Sequence, residues 1–166
     1  MASRSHWSRA RARDGRSQVL TPDFVVLSRE DAERYEPRGK EICISISDPD
    51  APPARISSRF AAVLRLNFDD VIERGEPSDI LFVQHHAREI TKFLDKWPNA
   101  ERVMVHCNAG VSRSPGVALG LCDLRGWATA ALERSHPGWN RLVRSVLAAE
   151  RRASVENRSR RPSALE

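Results

Sequence analysis

The stretch that decides the fold spans residues 104–115 and reads Met-Val-His-Cys-Asn-Ala-Gly-Val-Ser-Arg-Ser-Pro. Apolar, largely β-branched residues at 103–105 predict a buried strand that ends at the cysteine. Small and apolar residues at 116–124 predict a helix. Pro115 suits the first turn of that helix, because the N–H that proline lacks would have no partner there. Residues 107–113 are therefore predicted to join the end of a strand to the start of a helix.

A loop in this position is suited to binding an anion. Backbone N–H groups at a helix start point at one spot, and the helix dipole favours negative charge there. Gly110 permits the positive φ or close backbone approach that a tight anion nest requires. Arg113 adds a planar fork of donors that matches two phosphate oxygens. These groups also favour thiolate over thiol at Cys107, and a thiolate beneath a bound phosphate is a nucleophile aimed at phosphorus.

This stretch resembles the signature of the cysteine-dependent protein tyrosine phosphatases, His-Cys-x-x-Gly-x-x-Arg-Ser/Thr. Its fixed positions are filled by His106, Cys107, Gly110, Arg113 and Ser114. The resemblance implies that Cys107 is the nucleophile and forms a phosphocysteine, and that Arg113 binds phosphate and the transition state. It also implies that Ser114 helps the thiolate leave and that His106 orders the loop. The expected phosphate-binding residues are Asn108, Ala109, Gly110, Val111, Ser112 and Arg113.

The size of the chain is similar to that of the compact dual-specificity and small bacterial tyrosine phosphatases. The expected substrate is a phosphorylated protein, which is hydrolysed without a metal or cofactor. The variable loop positions 108, 109, 111 and 112 carry no charge, which argues against a polyphosphorylated inositol headgroup and favours phosphotyrosine, with or without phosphoserine and phosphothreonine. Two alternatives remain: a rhodanese-like sulfurtransferase, and a non-catalytic phosphoprotein-binding module.

The resemblance also implies an upstream aspartate that protonates the leaving group. If the predicted strands at 61–68 and 102–106 are parallel and joined by a crossover helix, both end at the same edge of the sheet. Ligands in open α/β sheets bind at this carboxyl edge. Asp69 and Asp70 are therefore expected beside Cys107, and Asp70 is the first candidate for the acid.

The sequence leaves more than one aspartate as a candidate for the acid. The common Trp-Pro-Asp form of the acid segment is absent. Asp69 is the second candidate. Asp48 and Asp50, which follow another predicted strand, are further alternatives.

The order of predicted elements indicates an α/β fold with a central, mostly parallel sheet of about four strands flanked by helices. Strands are expected at 24–27, 42–46, 61–68 and 102–106, and helices at 28–35, 78–97, 116–124, 128–135 and 140–152. Alternation of isoleucine with cysteine and serine predicts a half-buried strand at 42–46. Either Ser78 or Asp79 is expected to cap the long helix.

A length of 166 residues suits one domain, placed here at 18–150. The net charge of +5 lies at the ends of the chain: residues 1–17 carry +4 and residues 150–166 carry +2, which leaves −1 between them. Residues 1–17 and 151–166 are expected to be disordered basic tails, and nucleic-acid binding is not favoured.

Cysteine usage and hydropathy suggest the compartment. No apolar run reaches the roughly 18 residues of a membrane helix, and no signal peptide is apparent. Cys43, Cys107 and Cys122 lack the spacing of a metal site or disulfide framework. A reactive thiol favours a reducing compartment, so the cytoplasm is expected. Cys43, in a neighbouring strand, is a possible disulfide partner for an oxidised Cys107.

Overall fold

A four-stranded parallel sheet is the framework of the domain in the computed structural model, which describes residues 22–159. The strands are β1 (Asp23–Leu27), β2 (Glu41–Ser47), β3 (Ala62–Asn67) and β4 (Arg102–His106). The helices are α1 (Arg29–Arg34), α2 (Gln84–Lys96), α3 (Arg113–Arg125), α4 (Ala130–Ser135) and α5 (Arg141–Ser159). The α/β class and the flanked central sheet predicted from the sequence are confirmed.

Strand order brings the carboxyl ends of all four strands to one edge of the sheet. The order is β1-β4-β2-β3, and each of the three pairings is parallel. Although β3 and β4 are not neighbours, both pair with β2 in the same direction. The predicted shared edge therefore exists. The segments that follow β2, β3 and β4 all begin there.

The central strand β2 is more buried than its sequence predicts. All seven of its residues are buried, so the expectation of a half-buried strand is wrong. Alternate residues of β2 belong to two different apolar clusters, rather than to one cluster and the solvent-facing surface. Ile42, Ile44 and Ile46 join the larger cluster, whereas Cys43 packs with Met104 in the smaller one.

The sequence of α3 allows it to lie close against α5. Most of its side chains are buried, including Val117, Leu121 and the first residue, Arg113. A Cβ added at Gly120 would lie 2.7 Å from Cβ of Leu147, so the absent side chain permits this contact. Close packing of α3 fixes the position of its N-terminus, where the loop of the predicted site ends.

The long helix begins later than predicted. It spans Gln84–Lys96 rather than 78–97, and Asp79 does not cap it. Asp79 instead accepts hydrogen bonds from two backbone N–H groups of the preceding turn, at 2.7 Å each. At the true start, Nδ1 of His86 accepts the N–H of Val83 at 3.1 Å. Burial lowers the pKa of His86, which keeps the ring neutral and able to accept.

The predicted limits of the domain remain predictions. The helix α5 continues to Ser159, past the expected boundary at residue 150, and its last nine residues fall in the segment 151–166 that was expected to be disordered. The predicted tail at 1–17 lies outside the described residues. Within residues 22–159, no helix combines the length and the apolar character needed to cross a membrane.

Candidate active site

The loop between β4 and α3 surrounds the sulfur of Cys107. The backbone N–H of Gly110 donates to Sγ at 3.2 Å, and Oγ of Ser114 lies 3.1 Å from Sγ. Cys107 is buried, with 2% of its surface exposed. Donors directed at a sulfur stabilise its ionised form. The loop therefore directs a backbone donor at the sulfur of Cys107.

Gly110 holds the loop in a conformation that other residues rarely adopt. Its φ is +75°, in the left-handed region. A Cβ here would also lie 2.6 Å from the backbone nitrogen of Ser28. Next to it, the N–H of Arg29 donates to the carbonyl of Asn108 at 3.0 Å. The connection between β1 and α1 therefore supports the loop from outside.

Arg113 is buried at the start of α3, with 3% of its surface exposed. Its Nη1 lies 2.7 Å from Oδ1 of Asp48 and donates to the carbonyl of Phe68 at 2.8 Å. Its Nε is also buried but has no hydrogen-bond partner among the residues that the structure describes. A buried donor on a charged group is costly to leave unsatisfied. Nε is therefore a donor suited to an anionic ligand.

His106 lies fully buried beneath the loop. Its Nδ1 is 3.3 Å from the carbonyl oxygen of Cys107, and its Nε2 is 2.7 Å from Oγ of Ser45. Burial lowers the pKa of His106, so the ring is neutral at pH 7. A carbonyl can only accept, so Nδ1 carries the proton and Nε2 accepts the hydroxyl of Ser45. These contacts tie the loop to β2.

Asp70 contacts the loop between β4 and α3 through Ser112. Oδ1 of Asp70 accepts a hydrogen bond from Oγ of Ser112 at 2.6 Å. Oδ2 of Asp69 instead accepts the N–H of Ile80 at 2.8 Å, which closes the segment after β3. Asp48 pairs with Arg113, as described above.

Asp50 is exposed in the turn after β2. The four aspartates thus lie at the same edge of the sheet in different environments. The contact with Ser112 makes Asp70 the strongest candidate for the acid.

Several solved structures have a fold similar to that of this chain. Human DUSP28 matches with a TM-score of 0.53 at 16% identity, over 84% of this chain and 97% of that chain. Tk-PTP in its active form matches with a TM-score of 0.51 at 17% identity, over 78% and 90%. The human tyrosine phosphatase-like serine/threonine/tyrosine-interacting protein matches with a TM-score of 0.50 at 18% identity, over 70% and 80%. No family model and no curated protein matches the sequence.

The chain has the fold of the cysteine-dependent protein tyrosine phosphatases. In this fold, the loop that contains Cys107 lies between β4 and α3, as predicted from the sequence. All the residues predicted at the loop, from His106 to Ser114, are together at the carboxyl edge of the sheet.

One residue of the candidate site was not predicted from the sequence. Asn140 precedes α5 and is buried, and its Nδ2 donates to Oδ1 of Asp70 at 2.9 Å. The sequence indicated only a helix start near residue 140. A contact between residues seventy positions apart leaves no local pattern, so the link to Asp70 could not be read from the sequence.

An open cleft lies beside the loop between β4 and α3. Its volume is about 480 Å³, and it runs between the segment 70–73 and the segment 138–141. Ser112 lies on its wall, and Trp139 lines it on the side of α5. The indole of Trp139 is covered by the guanidinium of Arg144, 5.3 Å from the ring centroid. The cleft therefore adjoins the loop at Ser112 and the segment after β3 at Asp70.

The other two cysteines lie outside the loop, in β2 and α3. Burial raises the pKa of Cys43 and of Cys122 to about 12, so both stay as thiols. Cys43 lies opposite Met104 in the sheet, three residues before Cys107. At roughly 3.3 Å per residue, three residues of strand are longer than about 7 Å, the largest Cα separation that a disulfide can bridge. This arrangement argues against a disulfide between Cys43 and Cys107. Within residues 22–150, no group of three or more potential metal ligands occurs.

Proposed function

We propose that this chain is a protein tyrosine phosphatase, with or without activity on phosphoserine and phosphothreonine, that acts through a phosphocysteine. The observation that carries the proposal is the surroundings of Cys107, whose sulfur contacts the N–H of Gly110 and the hydroxyl of Ser114. A buried thiolate at a helix start, with a guanidinium in the same loop, suits attack on a phosphate dianion. The absence of charge at the variable loop positions favours phosphotyrosine over more highly charged headgroups.

The first chemical step transfers the phosphoryl group to sulfur. The Cys107 thiolate attacks phosphorus, an S–P bond forms, and the P–O bond to the leaving group breaks. The carboxylic acid of Asp70 gives its proton to the departing oxygen, which would otherwise leave as an alkoxide or phenolate. Nε of Arg113 and the loop N–H groups hold the equatorial phosphate oxygens, where negative charge is concentrated in the transition state.

The second step releases inorganic phosphate. The carboxylate of Asp70 takes a proton from water as the water oxygen attacks phosphorus. The S–P bond breaks, and its electron pair returns to sulfur as thiolate. Oγ of Ser114 lies 3.1 Å from that sulfur and can donate to it as charge develops. Protons and electrons balance over the two steps without a metal or cofactor.

Two other functions use part of this site. A rhodanese-like sulfurtransferase needs an anion-binding loop around a cysteine but not the combination of Arg113, Ser114 and an aspartate in contact with the loop. A phosphoprotein-binding module needs the nest but not a stabilised thiolate. The contacts of the Cys107 sulfur therefore favour the hydrolase. The need for a reduced thiol supports a cytoplasmic location, with a phosphorylated protein as substrate.

The test compares steady-state turnover of a phosphotyrosine peptide, a phosphoserine peptide, a phosphoinositide and thiosulfate as sulfur donor. We expect phosphate release from the phosphotyrosine peptide and no transfer of sulfur to cyanide. Cys107→Ser is expected to abolish turnover while retaining phosphopeptide binding, because a serine hydroxyl is not ionised at neutral pH.

Cys122→Ser removes a buried thiol outside the loop and is the matched control. Retention of turnover within tenfold of wild type by Cys107→Ser would exclude Cys107 as the nucleophile. Phosphopeptide binding by the wild-type protein without turnover would favour the binding module.

A further inference from the structure

Asn140 joins three parts of the site. Its Oδ1 accepts the N–H groups of Leu142 and Val143 at 3.0 and 3.1 Å, which makes it the N-cap of α5. Its backbone N–H donates to the carbonyl of Ser112 at 2.9 Å. Its Nδ2 donates to Oδ1 of Asp70 at 2.9 Å. The side chain of Asn140 thus connects the start of α5 to the candidate acid, and its backbone connects both to the loop between β4 and α3.

The cap determines the orientation of the amide. Backbone N–H groups only donate, so the side-chain atom that faces Leu142 and Val143 must be the oxygen. The NH₂ group then necessarily faces the segment after β3. There it also approaches the carbonyl of Val71, at 3.3 Å. Asn140 therefore presents a donor, and not an acceptor, to Asp70.

Both hydrogen bonds to Asp70 end on the same oxygen. Oγ of Ser112 donates to Oδ1 at 2.6 Å and Nδ2 of Asn140 donates to it at 2.9 Å. Oδ2 receives no hydrogen bond from the described residues. An oxygen whose two lone pairs already accept is a poor site for a proton, whereas Oδ2 has both lone pairs available.

We propose that Asn140 is a positioning residue that, with Ser112, holds Oδ1 of Asp70 so that the transferable proton is carried on Oδ2. This inference rests on the proposed phosphatase function. It assigns distinct tasks to the two carboxyl oxygens: Oδ1 anchors the side chain to the loop, and Oδ2 exchanges the proton with the leaving group and then with water.

Two substitutions separate this role from the cap. Asn140→Ser keeps a good N-cap residue but has a shorter side chain that does not extend to Asp70. Asn140→Asp also keeps the cap and is nearly isosteric, but it presents an acceptor to Oδ1 of Asp70 in place of a donor. Each variant can be checked for folding by circular dichroism and thermal unfolding. If one fails to fold, the other carries the test.

The experiment measures kcat and KM on aryl phosphates whose leaving groups range from weakly to strongly acidic. Its panel consists of the wild type, the two Asn140 variants, Asp70→Asn, and Asp70→Asn combined with Asn140→Ser. We expect each Asn140 variant to lose roughly tenfold in kcat on the least acidic leaving group. On the most acidic leaving group its kcat should stay within about twofold of wild type, since little protonation is needed there.

In the Asp70→Asn background, Asn140→Ser should cause no further loss, because its effect passes through Asp70. A loss of the same size on every substrate, or one that multiplies with that of Asp70→Asn, would overturn the inference and leave the phosphatase function standing. A folded wild-type protein that hydrolyses no aryl phosphate would overturn the proposed function and this inference with it.

Discussion

Nη1 of Arg113 lies 2.7 Å from Oδ1 of Asp48 and at the same time donates to the carbonyl of Phe68 at 2.8 Å. Asp48 follows β2 and Phe68 follows β3, so the guanidinium is held from the ends of two adjacent strands. Both contacts use one nitrogen. The buried Nε makes no contact of this kind within the described part of the chain and is available to donate to an anionic ligand.

Asp48→Asn should weaken phosphate binding with little effect on proton transfer. The asparagine amide keeps an oxygen that accepts from Nη1 of Arg113, but it loses the negative charge that helps to hold the guanidinium in place. Asp48 is about half exposed and only Arg113 is buried, so solvent screens the pair in part; for a contribution of about 1 kcal/mol, we expect KM for an aryl phosphate to rise about fivefold. Asp50→Asn, in the exposed turn nearby, is the control and should leave KM unchanged. A loss in kcat confined to poor leaving groups would instead identify Asp48 as the acid.

Arg113→Lys should be far more damaging, although the charge is kept. A lysine ammonium is a point charge and cannot supply the Nε and Nη donors of a planar fork. We expect kcat/KM on an aryl phosphate to fall at least about 10²-fold, the size of loss seen when a donor to a transition-state oxyanion is removed. A kcat/KM near that of the wild type would contradict the role of Arg113 as the phosphate clamp.

Gly110→Ala should disrupt the loop without unfolding the domain. The positive φ is unfavourable for alanine, and the new Cβ would lie 2.6 Å from backbone atoms of the connection that follows β1. We expect loss of turnover together with a lower melting temperature. Gly75→Ala is the matched control, because a Cβ there meets only a side-chain oxygen, at 3.4 Å. Equal activity of the two variants would show that the loop tolerates a change of conformation at residue 110.

Much of this site is predictable from the sequence because its chemistry is local. The run from His106 to Ser114 contains the candidate nucleophile, the guanidinium and the glycine, and the order of strands and helices brings the aspartates to the same edge. Parallel strands joined by crossovers end together, which is why Asp70 could be placed near Cys107 although the two are far apart in the sequence.

What the sequence did not reveal depends on distant contacts. The alternation in β2 indicates two faces, but only the packing on both sides makes every residue buried. Asp79 has the side chain of an N-cap, yet it binds the preceding turn and α2 begins at Gln84. Asn140 could be recognised as a helix start but not as the partner of Asp70. The burial of a strand, the start of a helix and the partner of a polar side chain are decided here by tertiary packing rather than by residue type.

Stability should fall as the pH is lowered from 7 toward 5. Burial lowers the pKa of His106, and the pKa values of His86 and His136 shift in the same direction for the same reason. The unfolded chain, in which histidine titrates near 6.5, therefore binds more protons than the folded one below that pH. Urea unfolding at pH 7, 6 and 5 measures the effect. His106→Asn should show a shallower decline, and an unchanged slope in that variant would mean that His106 does not contribute.

The leaving-group dependence of Asp70→Asn is the most direct test of the assigned acid. Asparagine keeps the size of the side chain and an oxygen for the contacts with Ser112 and Asn140, but it has no carboxylic proton. We expect kcat to fall roughly 10²-fold or more on aryl phosphates with weakly acidic leaving groups. The loss should shrink as the leaving group becomes more acidic, because the departing oxygen then needs less protonation.

Asp69→Asn is the matched control, one residue away. Its amide oxygen can still accept the N–H of Ile80, so the segment after β3 should stay closed and kcat should show no dependence on the leaving group beyond that of the wild type. The reverse pattern, with Asp69→Asn sensitive and Asp70→Asn not, would place the acid one residue earlier. If neither variant is sensitive, the proton comes from another group. The contact between Asp70 and Ser112 would then serve only to hold the segment after β3 against the loop.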